Sequence, residues 1–145
     1  MPDFSISSPD FEEGGEIPKK FGYKFENETP IIHFDNRPDG TTMTALIMDD
    51  PDAMVAVGKV WVHWLVISSG PTPVTGNIVI EGKTDFGEIG YGGPAPPDGR
   101  HTYVFKGYAL DTNLDLKEGY LKQELEDAMK DHILAEGKLT GTFAP

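Results

Sequence analysis

The sequence contains no cysteine. Disulfide scaffolds, thiol nucleophiles and thiolate zinc sites are therefore excluded, and the composition is compatible with an intracellular setting. Basic charge is scarce: Lys and Arg total 12 against 24 Asp and Glu, for a formal charge of −12. Such a chain is repelled by nucleic acid and by anionic lipid surfaces, which argues against both as partners. No apolar run approaches the roughly 20 residues a membrane helix needs. The start, Met1-Pro2-Asp3-Phe4-Ser5, shows no basic region followed by an apolar stretch, so no secretory signal is expected and the expected location is the cytoplasm.

What is present is a globular chain punctuated by turns. Its 145 residues fit one domain, 1–145, large enough to bury a core. Seventeen Gly and twelve Pro favour short strands joined by turns. Phe4 to Phe25 reads as an edge strand with loops, and Thr29 to Phe34 as a short strand. Arg37-Pro38-Asp39-Gly40 is a turn, and Thr42 to Met48 is a strand. Val60 to Ser68 is apolar on both faces, which predicts a buried central strand. Regular alternation would put Trp61, His63, Leu65 and Ile67 on one side and Val60, Val62, Trp64 and Val66 on the other. Asn77 to Glu81, His101 to Leu110 and Ile133 to Phe143 are further strands. Tyr120 to Lys130 is the persuasive helix, with Leu121, Leu125 and Met129 recurring every four residues. The expected class is mainly β: a two-sheet antiparallel structure with one or two short helices near the C-terminus.

Several familiar triplets fail in context. Gly82-Lys83-Thr84 lacks the earlier glycine of a phosphate-binding loop, because that position is Asn77. Asp85-Phe86-Gly87 matches a kinase metal-binding triplet in a chain too short for a kinase. Asn27-Glu28-Thr29 is a sequon without a secretory route, and no Gly-x-Ser-x-Gly elbow exists.

The remaining chemistry gathers at strand ends. Asp50-Pro51-Asp52-Ala53 holds two carboxylates on a stiff turn, where each Asp could equally cap backbone N–H groups. His63 follows Trp61 by two positions. The Gly90–Asp111 stretch runs from a glycine- and proline-rich loop into a strand carrying His101 and Tyr103 on one face. Glycines in such a loop allow a ligand to approach backbone N–H groups. His33 and His132 have no such company and read as structural.

Together these segments resemble the phosphatidylethanolamine-binding protein family, also called the Raf kinase inhibitor protein family, in its compact bacterial and archaeal branch. The resemblance rests on Asp50-Pro51-Asp52-Ala53, Val62-His63-Trp64, Gly90-Tyr91-Gly92-Gly93-Pro94, Pro96-Pro97, His101-x-Tyr103, Tyr108-Ala109-Leu110-Asp111 and His132-Ile133-Leu134-Ala135, in order along nearly the whole chain. It implies a small anion pocket lined by Asp50, His63, His101 and Tyr103, with Trp61, Asp52, Gly93, Pro96 and Pro97 around them. It implies a non-enzymatic, cofactor-free binding protein whose ligand is a phosphate-like anion or phospholipid headgroup, with a kinase as regulated partner and a homodimer as assembly. Serine-protease inhibition through a surface loop is the alternative the family also implies. A metal-dependent hydrolase on His63, His101 and the aspartates is a third reading from the residues. Three departures stand out: Met54 where the family has a second proline, Thr102 where it has Arg, with Arg100 just before His101, and short loops over 54–60 and 69–77.

Overall fold

The computed structural model describes residues 3–145; the reading of the extreme N-terminus at Met1 and Pro2 lies outside the described residues. The elements in order are β1 (Ser5–Ser7), β2 (Gly15–Glu16), a 3₁₀ turn (Lys19–Phe21), β3 (His33–Asp35), β4 (Met43–Asp50), α1 (Ala53–Val57), β5 (Trp61–Ser68), β6 (Val79–Glu81), β7 (His101–Leu110), α2 (Lys122–Met129) and β8 (Ile133–Phe143). β1 and β3 form a two-stranded antiparallel sheet. The others form a six-stranded sheet in the order β2-β8-β7-β4-β5-β6. All its pairings are antiparallel except β2 with β8, where Gly15 pairs with Gly141 in parallel.

The fold is mainly β with two sheets and few helices, as the alternation in the sequence implies. β4 is buried along its whole length, which is why Met43 to Met48 is apolar on both faces apart from Thr44, whose hydroxyl donates to the Ser68 carbonyl at 3.3 Å. One face of the large sheet (Leu46, Met48, Trp64, Val66, Phe105, Leu139) packs against Phe4, Ile6, Phe11 and Ile17 of the N-terminal segment. The other face (Met43, Ala45, Ile47, Leu65, Ile67) packs under α2 through Leu125 and Met129. Burying each of those two helix side chains contributes about 1.5–3 kcal/mol. α2 is further tied down by Lys122 Nζ, 3.1 Å from the buried Asp49 carboxylate, and its entry is capped by Glu124, which accepts the Leu121 N–H at 2.9 Å.

Glycine fixes the layer spacing on the N-terminal side. A Cβ at Gly107 would lie 2.5 Å from Ile6, and one at Gly141 would lie 2.6 Å from Ile17. Among the described residues no helix is long and apolar enough to cross a membrane.

The structure differs from the sequence reading at two places that matter for the site. Residues 53–57, read as the end of a turn and the start of the short loop 54–60, form α1. The Asp50 carboxylate accepts the Asp52 N–H at 2.9 Å and opens the turn. Gly58, at φ 82°, closes it by donating to the Met54 carbonyl at 3.0 Å. The second place is in β5, which is buried and flanked by β4 and β6 as expected but is not regular along its length. Met48 pairs with Trp64 but Asp49 pairs with Val62, so His63 is the extra residue of a β-bulge. The regular alternation read from the sequence breaks there: Val62 joins Leu65 and Ile67 on the α2 side. Trp61 and His63 do not share that face, as strict alternation required.

Candidate functional site

The bulge turns His63 toward Tyr103 on β7, with ring centroids 5.1 Å apart and planes at 80°. Phe86, from the loop after β6, packs edge-on against both Trp61 (5.6 Å) and His63 (5.4 Å) and is itself stacked on Tyr23 at 3.9 Å. These rings wall a cavity of about 220 Å³ lined also by Asp50, Ala53, Ala56, Val57, Ala95 and Pro97. The walls are largely apolar, and the polar groups are few and convergent, as in small-ligand sites generally.

Each polar group has a definable state. His63 Nδ1 lies 2.7 Å from the Gly92 carbonyl, which can only accept, so Nδ1 carries a proton. Burial lowers the His63 pKa, and the Gly92 carbonyl and the Asp50 charge only partly oppose it. The ring is therefore neutral at pH 7, and its Nε2, which has no partner among the described residues, is an acceptor. Tyr103 is fully buried, and its hydroxyl stands near the Asp50 carboxylate and the Ala95 backbone but completes a hydrogen bond with neither; the Trp61 indole N–H is likewise buried and unpaired. Burial, reinforced by the Asp50 charge, raises the Tyr103 pKa far above the ordinary phenol, so it stays a donor.

His101 sits beside the cavity rather than in its lining. Its Nδ1 donates to Asp50 and its Nε2 to Asp98, both at 2.6 Å. A neutral imidazole has one N–H, so this double donation describes an imidazolium. Burial pulls the His101 pKa down, but the hydrogen bonds and charges of the two carboxylates outweigh it, and the net shift is upward.

Of the residues singled out in the sequence, Asp50, Trp61, His63, Pro97 and Tyr103 line the cavity. His101 reaches it indirectly, through its bond to Asp50 and through Tyr103, on whose ring it stacks at 6.3 Å. Asp52 caps the start of β7, accepting the Thr102 N–H at 2.7 Å. Pro96 is buried within the loop, away from the lining. Gly93 faces Phe21: a Cβ there would overlap the Phe21 carbonyl oxygen, and its N–H donates to Asn27 Oδ1 at 2.8 Å. The Gly92 N–H is also taken, by the His63 carbonyl at 2.8 Å. The glycine loop thus spends these two N–H groups on the protein, because it must pack closely against it, and does not aim them at the cavity.

Phe86, Asp98 and the α1 residues were not legible as site residues. Phe86 belongs to the triplet that fails as a kinase motif, and Asp98 lies in a Pro-Asp-Gly turn that reads as ordinary rim. Of the departures, Met54 is exposed on α1 and its N–H donates to the Pro51 carbonyl at 3.2 Å, a bond a proline could not make. Arg100 points away to Thr142 and Glu16. Among the described residues no group of three or more His, Asp or Glu side chains is spaced to hold a metal ion.

Comparison with known proteins matches this geometry to a family. The family model described as phosphatidylethanolamine-binding protein matches residues 7–144. A UPF0098 protein of Methanothermobacter thermautotrophicus is 39% identical over 144 residues, covering 92% of this chain and 93% of the relative. A UPF0098 protein of Chlamydia muridarum is 37% identical, covering 95% and 97%. The crystal structure of a phosphatidylethanolamine-binding protein homolog from Chlamydia trachomatis superposes with a TM-score of 0.86 at 34% identity, covering 98% of this chain and 97% of that one. Escherichia coli YbcL superposes with a TM-score of 0.85 at 24% identity, which shows likeness of fold.

Proposed function

The chain belongs to the phosphatidylethanolamine-binding protein family, and from that premise we propose that it is a non-enzymatic binding and regulatory protein whose cavity takes a phosphate-like anion or a phospholipid headgroup. One observation carries the reading: the Tyr103 hydroxyl and the Trp61 indole N–H are buried, unpaired donors at the wall of one cavity. An unpaired buried donor costs about 1–3 kcal/mol, so two together are a standing demand for acceptor atoms. Anion oxygens meet that demand.

Size narrows the occupant. About 220 Å³ lies below the roughly 300 Å³ at which sites for drug-sized ligands begin, so the cavity suits an ion or a headgroup, with any acyl chains left outside. Charge sets the strength. Asp50 lines the cavity and no Lys or Arg does, so neutral hydrogen bonding dominates and affinity for a free anion is modest. His63 Nε2 accepts a proton from a ligand that carries one, or takes up a solvent proton and becomes a third donor.

The test follows the ring signals of His63 and His101 and the indole signal of Trp61 by NMR during titration with inorganic phosphate and with phosphoethanolamine. Saturable shifts at His63 and Trp61 are expected. Unmoved His63 and Trp61 signals would overturn the reading. We place the protein in the cytoplasm, acting on a protein partner such as a kinase; pull-down with and without phosphoethanolamine tests whether occupancy alters partner capture.

A further inference from the structure

A second cavity, of about 530 Å³, is lined in part by Gly90 and Tyr91. Its rim carries Ile31, Val74 and Ile89, each about half exposed (51%, 54% and 51%). Trp64 and Tyr91 line it, packed edge to face at 5.4 Å. Glu81 is the only charged side chain among its lining residues.

The state of that carboxylate is the informative feature. Glu81 Oε2 accepts the Trp64 indole N–H at 2.8 Å, while Oε1 has no partner and no Lys or Arg pairs with Glu81 among the described residues. Gly90, at φ 106°, passes beside it, where even a Cβ would stand 3.6 Å from the carboxylate, so no side chain at that position covers it. Accepting one indole N–H requires only a carbonyl-type oxygen, which glutamine supplies. A carboxylate placed in a groove walled mainly by isoleucine, valine, proline and aromatic side chains, with Thr29 and Thr72 as the other polar side chains, is a charge that this hydrogen bond does not require.

We propose that this groove binds an organic ammonium ion, an ammonium group on an apolar stem, with Glu81 as counter-charge and the Ile31, Val74 and Ile89 rim against the stem. A metal cation is a poor fit, because one carboxylate and the hydroxyls of Thr29 and Thr72 cannot replace the six to eight oxygens that a hard ion such as calcium takes. Tyr91 adds an aromatic wall of the kind that favours ammonium groups. The strongly acidic chain raises the local concentration of any cation. The proposal does not rest on the anion reading, since the two cavities share no lining residue.

The two tryptophans report on the two cavities separately: the Trp61 indole lines the first and the Trp64 indole is bonded to Glu81 in the second. Titration of the whole protein with n-butylammonium chloride, with sodium chloride at matched ionic strength as control, is followed through both indole N–H signals. The expected result is a saturable shift at Trp64 alone, absent with sodium. In Glu81→Gln, which keeps an acceptor for Trp64, affinity falls about tenfold, the size of one charge-assisted hydrogen bond. No saturable Trp64 shift, the same shift with sodium, or unchanged affinity in Glu81→Gln would overturn the proposal. Inorganic phosphate in the same samples moves Trp61 if the anion reading holds, so either reading can fail alone.

Discussion

His101 donates from Nδ1 to the Asp50 carboxylate across 2.6 Å, although the two residues stand 51 apart in the chain. The bond joins the end of β4 to the start of β7 and fixes one wall of the anion cavity. Because Asp98 takes the other nitrogen, a charged ring is clamped between a buried carboxylate and an exposed one.

Removing the buried partner is costly. Asp50→Ala leaves the imidazolium without its buried counter-charge and is expected to lose about 3–5 kcal/mol, read from urea unfolding. Asp98→Ala removes a half-exposed partner and is expected to lose no more than about 1 kcal/mol.

The Asp98 contribution also has a pH signature. The His101 pKa is raised in the folded state, so the ring's stabilisation is complete below its unfolded value of about 6.5 and disappears as pH rises through the folded value. The stability gap between wild type and Asp98→Ala is therefore widest at about pH 5–6.5 and closes in more alkaline solution. NMR titration of His101 should show a lower pKa in the variant. A gap that widens with rising pH would contradict the assignment.

Tyr103→Phe separates stability from binding. Deleting a buried, unpaired hydroxyl is expected to leave stability unchanged or raise it by up to about 1–3 kcal/mol, while phosphate affinity falls. Thermal melts and phosphate titration of the same samples check both halves.

Anion binding should draw a proton onto His63. Its pKa is lowered in the free protein, and a bound anion favours the charged ring, so affinity rises as pH falls. Sulfate is the suitable probe because its charge is constant between about pH 5 and pH 7.5, the range in which histidine titrates. Calorimetry should show proton uptake on binding, and pH-independent sulfate affinity would exclude His63 from the contact.

Gly93→Ala is predicted to destabilise by more than the roughly 1–3 kcal/mol usual for overpacking, because its Cβ would overlap backbone at Phe21 rather than a movable side chain. Gly58→Ala, at φ 82° with nothing nearby, should cost only about 1–2 kcal/mol, the strain of a left-handed backbone. Denaturant midpoints of the two variants give the comparison.

Strands with clean alternation were legible in the sequence. β8 coincides with its expected range, and β7 shows its buried face at each odd position from His101 to Ala109. α2 was legible because Leu125 and Met129 fall on one helical face. The bulge at His63 was not, because an extra residue is defined only by its partner strand. α1 was hidden because Ala-Met-Val-Ala-Val carries no helical periodicity over so short a span and depends on Asp50 and Gly58 to close its ends. Within the site, Asp50, His63 and Tyr103 could be read from residue type and position. Phe86 and Asp98 are brought in by loops whose course no local pattern dictates.

The pairing of β2 with β8 has a kinetic consequence. Glu13 accepts the backbone N–H of Thr140, 127 residues away, and Gly15 lies beside Gly141. The N-terminal segment that covers one whole core face cannot complete its seat until the last strand is present. Closing a loop of that length is slow relative to local helix formation. During synthesis Phe11 and Ile17 therefore remain without their contacts at Gly141 until β8 has emerged, and they stay open to misassociation in that interval.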